Sequence, residues 1–377
     1  MKTSEKFVLE MEGLDQLIHA LKNQGHQVIG PILGDGAVIL GEVTSAGDLP
    51  KGWTAQQDAG QYRLEKRSDE ALFGYVVGPH SWRRFLQPPE VRLLEMERDA
   101  TGFRVLNNPP SDRRPRAFLG VRACDLAAMA VQDRTLLHDR FVDPLYRDRR
   151  QNLVVVAVHC TQPARSCFCA SMNTGPRAEG GYDLALTEIT DNGRHWFLAD
   201  VGSKAGMRLL EQIERREATE SETAQVSTAV QQAATRMHRS LDTGGIRELL
   251  YDNLEHPEWD RVAGRCLSCA NCTLVCPTCF CTTMEDVTDL TGNQAERRRR
   301  WDSCFALDFT YIHGGSVRPS VRARYRHWLV HKLASWMDQF GSSGCVGCGR
   351  CITWCPVGID LTEEVGIIRS TTPKPAP

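Results

Sequence analysis

Eight cysteines near the C-terminal end fall into two copies of one spacing: Cys266, Cys269, Cys272 and Cys276 before Pro277, and Cys345, Cys348, Cys351 and Cys355 before Pro356. Each copy reads C-x2-C-x2-C-x3-C-P. Two intervening residues let three thiolates converge from one tight loop on three irons of a single 4Fe-4S cube, and the fourth iron must be capped from elsewhere. The fourth cysteine enters a new turn, and the proline behind it ends the loop and lacks an amide hydrogen. In two-cluster proteins with this run, that fourth cysteine ligates the other cluster. The spacing therefore predicts two cross-ligated cubes, one on Cys266, Cys269, Cys272 and Cys355, the other on Cys345, Cys348, Cys351 and Cys276. Structural zinc would need only paired C-x2-C half-sites with four ligands per ion, which leaves the third and fourth cysteines and the prolines unexplained.

Fifteen cysteines in 377 residues would mean a disulfide framework only in a small secreted domain. The start, Met1 to Lys6, has no apolar signal core, so a reducing, cytoplasmic setting is expected. The longest aliphatic run, Leu153 to Val158, is far too short to cross a bilayer. A formal charge of -2 argues against general nucleic-acid binding. The length allows two or three domains, and the composition is globular apart from a short polar tail from Ser370.

The first two hundred residues read as alternating strands and helices. Leu14, Leu17, Ile18 and Leu21 recur at helical spacing over residues 13–23, and a strand follows at 26–31. Gly34-Asp35-Gly36 reads as a hairpin turn. Residues 117–121 and 153–158 look like buried strands, the second too continuously apolar to be half-solvated. Val226, Val230, Ala233, Met237 and Leu241 form one stripe over 223–241, and 246–254 gives a shorter helix. The expected class is α+β, with an N-terminal α/β domain over 1–205, a helical connector over 206–262 and a ferredoxin-like dicluster domain over 263–377. Between its cysteine runs lies an insertion, 277–344, too long to lack structure of its own. Tyr325, Leu329, Leu333, Trp336 and Phe340 fall on one face, so 322–340 is expected to be a helix and the insertion helical. His327 and His331 lie off that stripe and are expected to face solvent or a subunit. The run Arg297 to Arg300 is expected to be a solvated charged face, with docking of an acidic partner as the other reading.

Four more cysteines stand in the N-terminal half. Cys124 follows the 117–121 strand, and Cys160 follows the 153–158 strand. If those strands are parallel neighbours, both thiols emerge at one sheet edge, and Cys167 and Cys169 on the adjoining loop complete a set of four. A third 4Fe-4S cluster is the expectation, zinc the next reading, and buried apolar packing the bland one. Cys279, Cys281 and Cys304 are one short of a closed site and receive no assignment.

Gly120-Val121-Arg122-Ala123-Cys124-Asp125-Leu126, Cys167-Phe168-Cys169-Ala170-Ser171-Met172-Asn173-Thr174-Gly175-Pro176, Cys276-Pro277-Thr278-Cys279-Phe280-Cys281, Arg299-Arg300-Trp301-Asp302-Ser303-Cys304 and His331-Lys332-Leu333 together resemble the 4Fe-4S dicluster family. That family contains the beta subunits of soluble nickel–iron hydrogenases of the sulfhydrogenase type and the A subunit of anaerobic sulfite reductase. The likeness is stronger to the hydrogenase beta subunit. It implies a chain that exchanges electrons while hydrogenase large and small subunits and a flavin subunit binding NAD(P) do the chemistry. The sequence agrees in what it lacks: no G-x-G-x-x-G follows a strand, and no paired C-x-x-C is left over for a nickel–iron centre. No catalytic residue is therefore expected on this chain. Sulfite reduction, and a redox-sensing or scaffold protein whose clusters are structural, are the competing readings.

Overall fold

The computed structural model describes residues 5–106, 114–138, 140–191 and 193–373. Residues 1–4 and the end of the polar tail, 374–377, lie outside them. The fold is α+β. Its N-terminal half is organised by a mixed eight-stranded sheet, in spatial order Arg216–Glu217, Lys6–Glu10, Arg194–Val201, Leu184–Asp191, Leu153–Val158, Arg116–Val121, Gln27–Gly34 and Ala37–Glu42. The four strands from Leu184–Asp191 to Gln27–Gly34 run parallel, and antiparallel strands flank them.

The apolar run Leu153–Val158 lies in mid-sheet because both faces there are covered. On one face Val156 and Val158 pack with Leu14, Leu17, Ile18 and Leu21 of the helix Met11–Asn23. On the other, Val155 and Ala157 pack with Leu126 and Met129 of the helix Ala123–Leu136. At the edge of the sheet Asp35 and Gly36, with φ of 53° and 71°, close the two-residue hairpin that the sequence indicates. The connector helix Glu220–Thr235 begins with a reciprocal Thr219–Glu222 capping box. It stops earlier than the apolar stripe suggests, leaving Met237 and Leu241 beyond its end.

The insertion differs from its expected helical form. It contains an antiparallel hairpin, Thr282–Thr288 with Gln294–Trp301, ahead of the helix. Gln294–Trp301 pairs on its other side with the N-terminal strand Glu90–Asp99, so a four-stranded sheet draws on regions placed in separate domains by the sequence pattern. Charge explains the register: Arg297 lies opposite Asp286 and bonds it at 2.7 Å. Arg300 reaches Glu285 at 2.9 Å, and Arg299 crosses to Asp143. The arginine run is thus ion-paired within the protein rather than simply solvated.

The helix of the insertion runs Val321–Val330, passes through a π-helical turn at His331–Ser335 and ends as Trp336–Phe340. His327 and His331 do not simply face solvent. They are half-buried, their rings stack at 5.6 Å, and burial pushes both imidazoles down to about 4. Among the described residues no helix is long and apolar enough to cross a membrane.

Candidate metal centres

The helix Glu258–Arg265 delivers the chain into the first cysteine loop, and the short helix Asn271–Leu274 turns it back. Cys266, Cys269 and Cys272 from this loop line one recess with Cys355, which arrives from the other cysteine run behind the short helix Arg350–Thr353. Phe305, Tyr325 and Trp328 form its apolar floor. Amides point at its sulfurs, Ser268 N–H to Cys266 Sγ at 3.4 Å and Ile359 N–H to Cys355 Sγ at 3.3 Å. The recess opens outward: Cys269 is exposed, and Leu267 on its rim is 64% exposed.

The second loop is buried. Cys345, Cys348 and Cys351 stand near enough to one another and to Cys276 that charge on one thiol disfavours charge on the next. Burial is the larger influence and pushes Cys345 up to about 12. This loop lies directly on residues 166–169. Phe168 N–H bonds Gly347 O at 2.9 Å, and Thr174 Oγ1 bonds Val346 O at 2.7 Å. A Cβ on Gly347 would stand 2.7 Å from the Cys169 backbone, and one on Gly349 2.4 Å from Ser166 O. Arg350, inside the loop, forms a fully buried 2.9 Å ion pair with Asp125, the neighbour of Cys124.

The parallel pairing of Arg116–Val121 with Leu153–Val158 puts Cys124 and Cys160 beyond the same edge of the sheet. Cys160, Cys167 and Cys169 influence one another electrostatically, and Cys124 joins them through Cys169. Three of the four divide between two packing groups. Cys124 and Cys169 pack with Cys348 and Trp336, while Cys167 packs with Val76, Val77 and Ala164. Burial pushes Cys167 up to about 12. Arg122, whose guanidinium bonds Phe73 O at 2.7 Å and Tyr75 O at 3.0 Å, lies 3.9 Å from Cys160 Sγ.

The cysteines without an assignment gather beside the second loop. Cys279 shares a hydrogen bond with Cys276, and Cys281 lies near Cys304. Two cations reach into this group. Arg83 bonds the Cys279 carbonyl at 2.6 Å and stacks 3.4 Å over the Trp301 ring. Lys332 donates to Cys276 Sγ at 3.3 Å and to Thr278 Oγ1 at 3.0 Å. Sequence reasoning missed both, because arginine and lysine on helices read by default as solvated; both are nearly fully buried.

The donor chemistry fits iron–sulfur clusters. Buried thiols favour the neutral form, and thiolates are stable there only against a cationic centre; soft thiolates select such clusters. Among the described residues no three histidine, cysteine, aspartate or glutamate side chains converge tightly enough to hold one metal ion.

Residues 265–359 match the family model described as a 4Fe-4S dicluster domain. Fold, cysteine pattern and that match define an iron–sulfur protein of the dicluster class. Over 316 residues the chain is 32% identical to sulfhydrogenase 2 subunit beta of Pyrococcus furiosus, covering 82% of this chain and 89% of that protein. The chain belongs to the sulfhydrogenase beta-subunit family. No solved structure matches it.

Proposed function

We propose that this chain is the iron–sulfur electron-transfer subunit of a multi-subunit hydrogenase, in keeping with the name of its Pyrococcus relative. The observation that carries the reading is that each group of thiols adjoins the next. From the exposed Cys269, the first recess leads to Cys351, which lines its inner side. Cys351 belongs with Cys345, Cys348 and Cys276, and Cys348 adjoins Cys124 and Cys169. Groups that adjoin in this succession carry electrons between the surface and the interior.

The ligand sets proposed are Cys266, Cys269, Cys272 and Cys355 for the first cluster and Cys345, Cys348, Cys351 and Cys276 for the second. Cys124, Cys160, Cys167 and Cys169 are the set for a third. When bound, such clusters supply one-electron chemistry over a range set by charge, hydrogen bonds to sulfur and exposure. The protein's part is to aim amides at the sulfurs, exclude water from the inner loop and leave one end open. Large and small subunits carrying a nickel–iron centre, and a flavin subunit binding NAD(P), are the proposed partners, with the cytoplasm the proposed setting.

Anaerobic purification tests this directly. The loaded chain is expected to hold about 12 iron and 12 sulfide with three cubes, or about 8 with two. It should take electrons from dithionite without oxidising hydrogen or reducing NADP by itself. The native complex should contain nickel and flavin. Sirohaem without nickel would replace the hydrogenase reading by sulfite reduction, and clusters that cannot be reduced would favour a scaffold.

A further inference from the structure

Lys332 is a buried lysine whose surroundings call for an anion. Its side chain is reached by almost no solvent, its ammonium lies against Cys276 Sγ and Thr278 Oγ1, and among the described residues no carboxylate pairs with it. Removing an ammonium from water is costly unless an opposite charge and hydrogen bonds compensate it. Thr278 supplies one such bond, and its own hydroxyl also bonds Gly344 O at 2.7 Å. Cys276 Sγ supplies the other.

The backbone is shaped to hold the lysine there. Lys332 lies in the π-helical turn His331–Ser335, a rare interruption that recurs at functional sites. Its carbonyl accepts bonds from Gly344 N–H at 2.8 Å and Ser343 Oγ at 3.2 Å, immediately ahead of Cys345. One residue is thus bound through its backbone to the start of the second cysteine loop and through its ammonium to the cysteine proposed to complete that cluster. Among the described residues the first recess has no counterpart: the donors at Cys266 and Cys355 are neutral amides.

We propose that Lys332 is a positioning and tuning residue of the second cluster, its positive charge and N–H···S bond holding that cluster at a higher reduction potential than the first. The assignment rests on the reading of Cys276 as a ligand of that cluster. The physical basis is that reduction adds negative charge to the cluster and its thiolates. A fixed cation 3.3 Å from one sulfur stabilises the reduced state more than the oxidised one, and the low-dielectric interior strengthens the effect. Arg83, aimed at the Cys279 carbonyl on the other side, adds to the field but makes no sulfur contact of its own. Electrons entering at the exposed recess then run downhill toward the interior.

The experiment is an anaerobic redox titration, followed by paramagnetic resonance, of the full-length cluster-loaded chain and its Lys332→Gln and Lys332→Arg variants. With Gln, which keeps a donor but no charge, the reduction equilibrium of one cluster should become at least tenfold less favourable, about 59 mV for a one-electron couple. The other dicluster signal should not move, and Arg should restore most of the loss. Loss of iron with Gln but not with Arg would also support the charge role. Unchanged midpoints in Gln, equal shifts of every cluster, or iron loss in both variants with the fold retained would overturn it. Cys276→Ser separates the two layers. If it leaves the signal of the Cys345 loop untouched, the ligand assignment fails; if it perturbs that signal while Lys332→Gln moves no potential, the tuning role alone fails.

Discussion

The two cysteine loops have the same spacing and the same backbone, yet occupy opposite environments. Ser268 and Ala270 in the first loop have left-handed φ of 50° and 66°, and Gly347 and Gly349 at the matching positions of the second have 63° and 76°. Left-handed backbone alone therefore does not demand glycine here. What demands it is the neighbour: the second loop lies against the backbone of residues 166–169, whereas the first tolerates side chains. Other matching positions diverge in the same sense. Leu267 is 64% exposed and Val346 3%, while exposed Asn271 corresponds to buried Arg350. A local motif sets how thiols converge, and its surroundings decide whether the site opens outward or lies within.

The sharpest way to break this comparison is at the Arg350 position. Asp125→Ala strands a buried guanidinium and should cost about 3–5 kcal/mol, whereas Asn271→Ala on the exposed loop should stay within about 0.5 kcal/mol. Urea unfolding of both variants checks it, and equal costs would remove the asymmetry. Next comes the glycine itself. Gly349→Ala combines left-handed strain with overpacking and should cost about 3 kcal/mol, with loss of iron bound at the inner loop, while Ala270→Gly should change stability by under about 1 kcal/mol.

The smallest effect concerns pH and the exposed half. Burial, reinforced by a hydrogen bond with Glu258, pushes the Glu364 carboxyl up to about 7 beneath the first loop, where Arg265 bonds it at 2.5 Å. A carboxyl raised on folding binds its proton more tightly in the native state. Its contribution is complete below the ordinary carboxylate range and is lost as pH rises to about 7. The urea midpoint should fall across that window, and Glu364→Gln should flatten the fall. A slope that survives in the variant would assign it to another group.

The cysteine spacings made the convergence of thiols legible, and apolar continuity placed Leu153–Val158 in mid-sheet. Its pairing with Arg116–Val121 stood in the sequence only as the condition for Cys124 and Cys160 to share one sheet edge, and the parallel register meets that condition. The joining of Glu90–Asp99 to Gln294–Trp301 was not legible, because strand partners far apart in sequence carry no local signal and arginine-rich strands lack apolar alternation. Lys332 was hidden for a related reason. Its neighbours Leu329 and Leu333 mark an ordinary amphipathic helix, and only the π turn together with Thr278 and Cys276 from another segment gives the lysine its surroundings.

The strand Glu90–Asp99 has a consequence in time. Its partner begins about 200 residues later in the chain, with Glu90 opposite Arg300. At the roughly 5–20 residues per second of translation, a newly made chain waits on the order of 10–40 seconds with that strand edge open. The inner cysteine loop follows later still, so the bed formed by residues 166–169 is synthesised long before the loop that must lie on it. Maturation of this subunit is therefore a late event, and a chain cut short before Gln294 leaves that edge of Glu90–Asp99 unpaired.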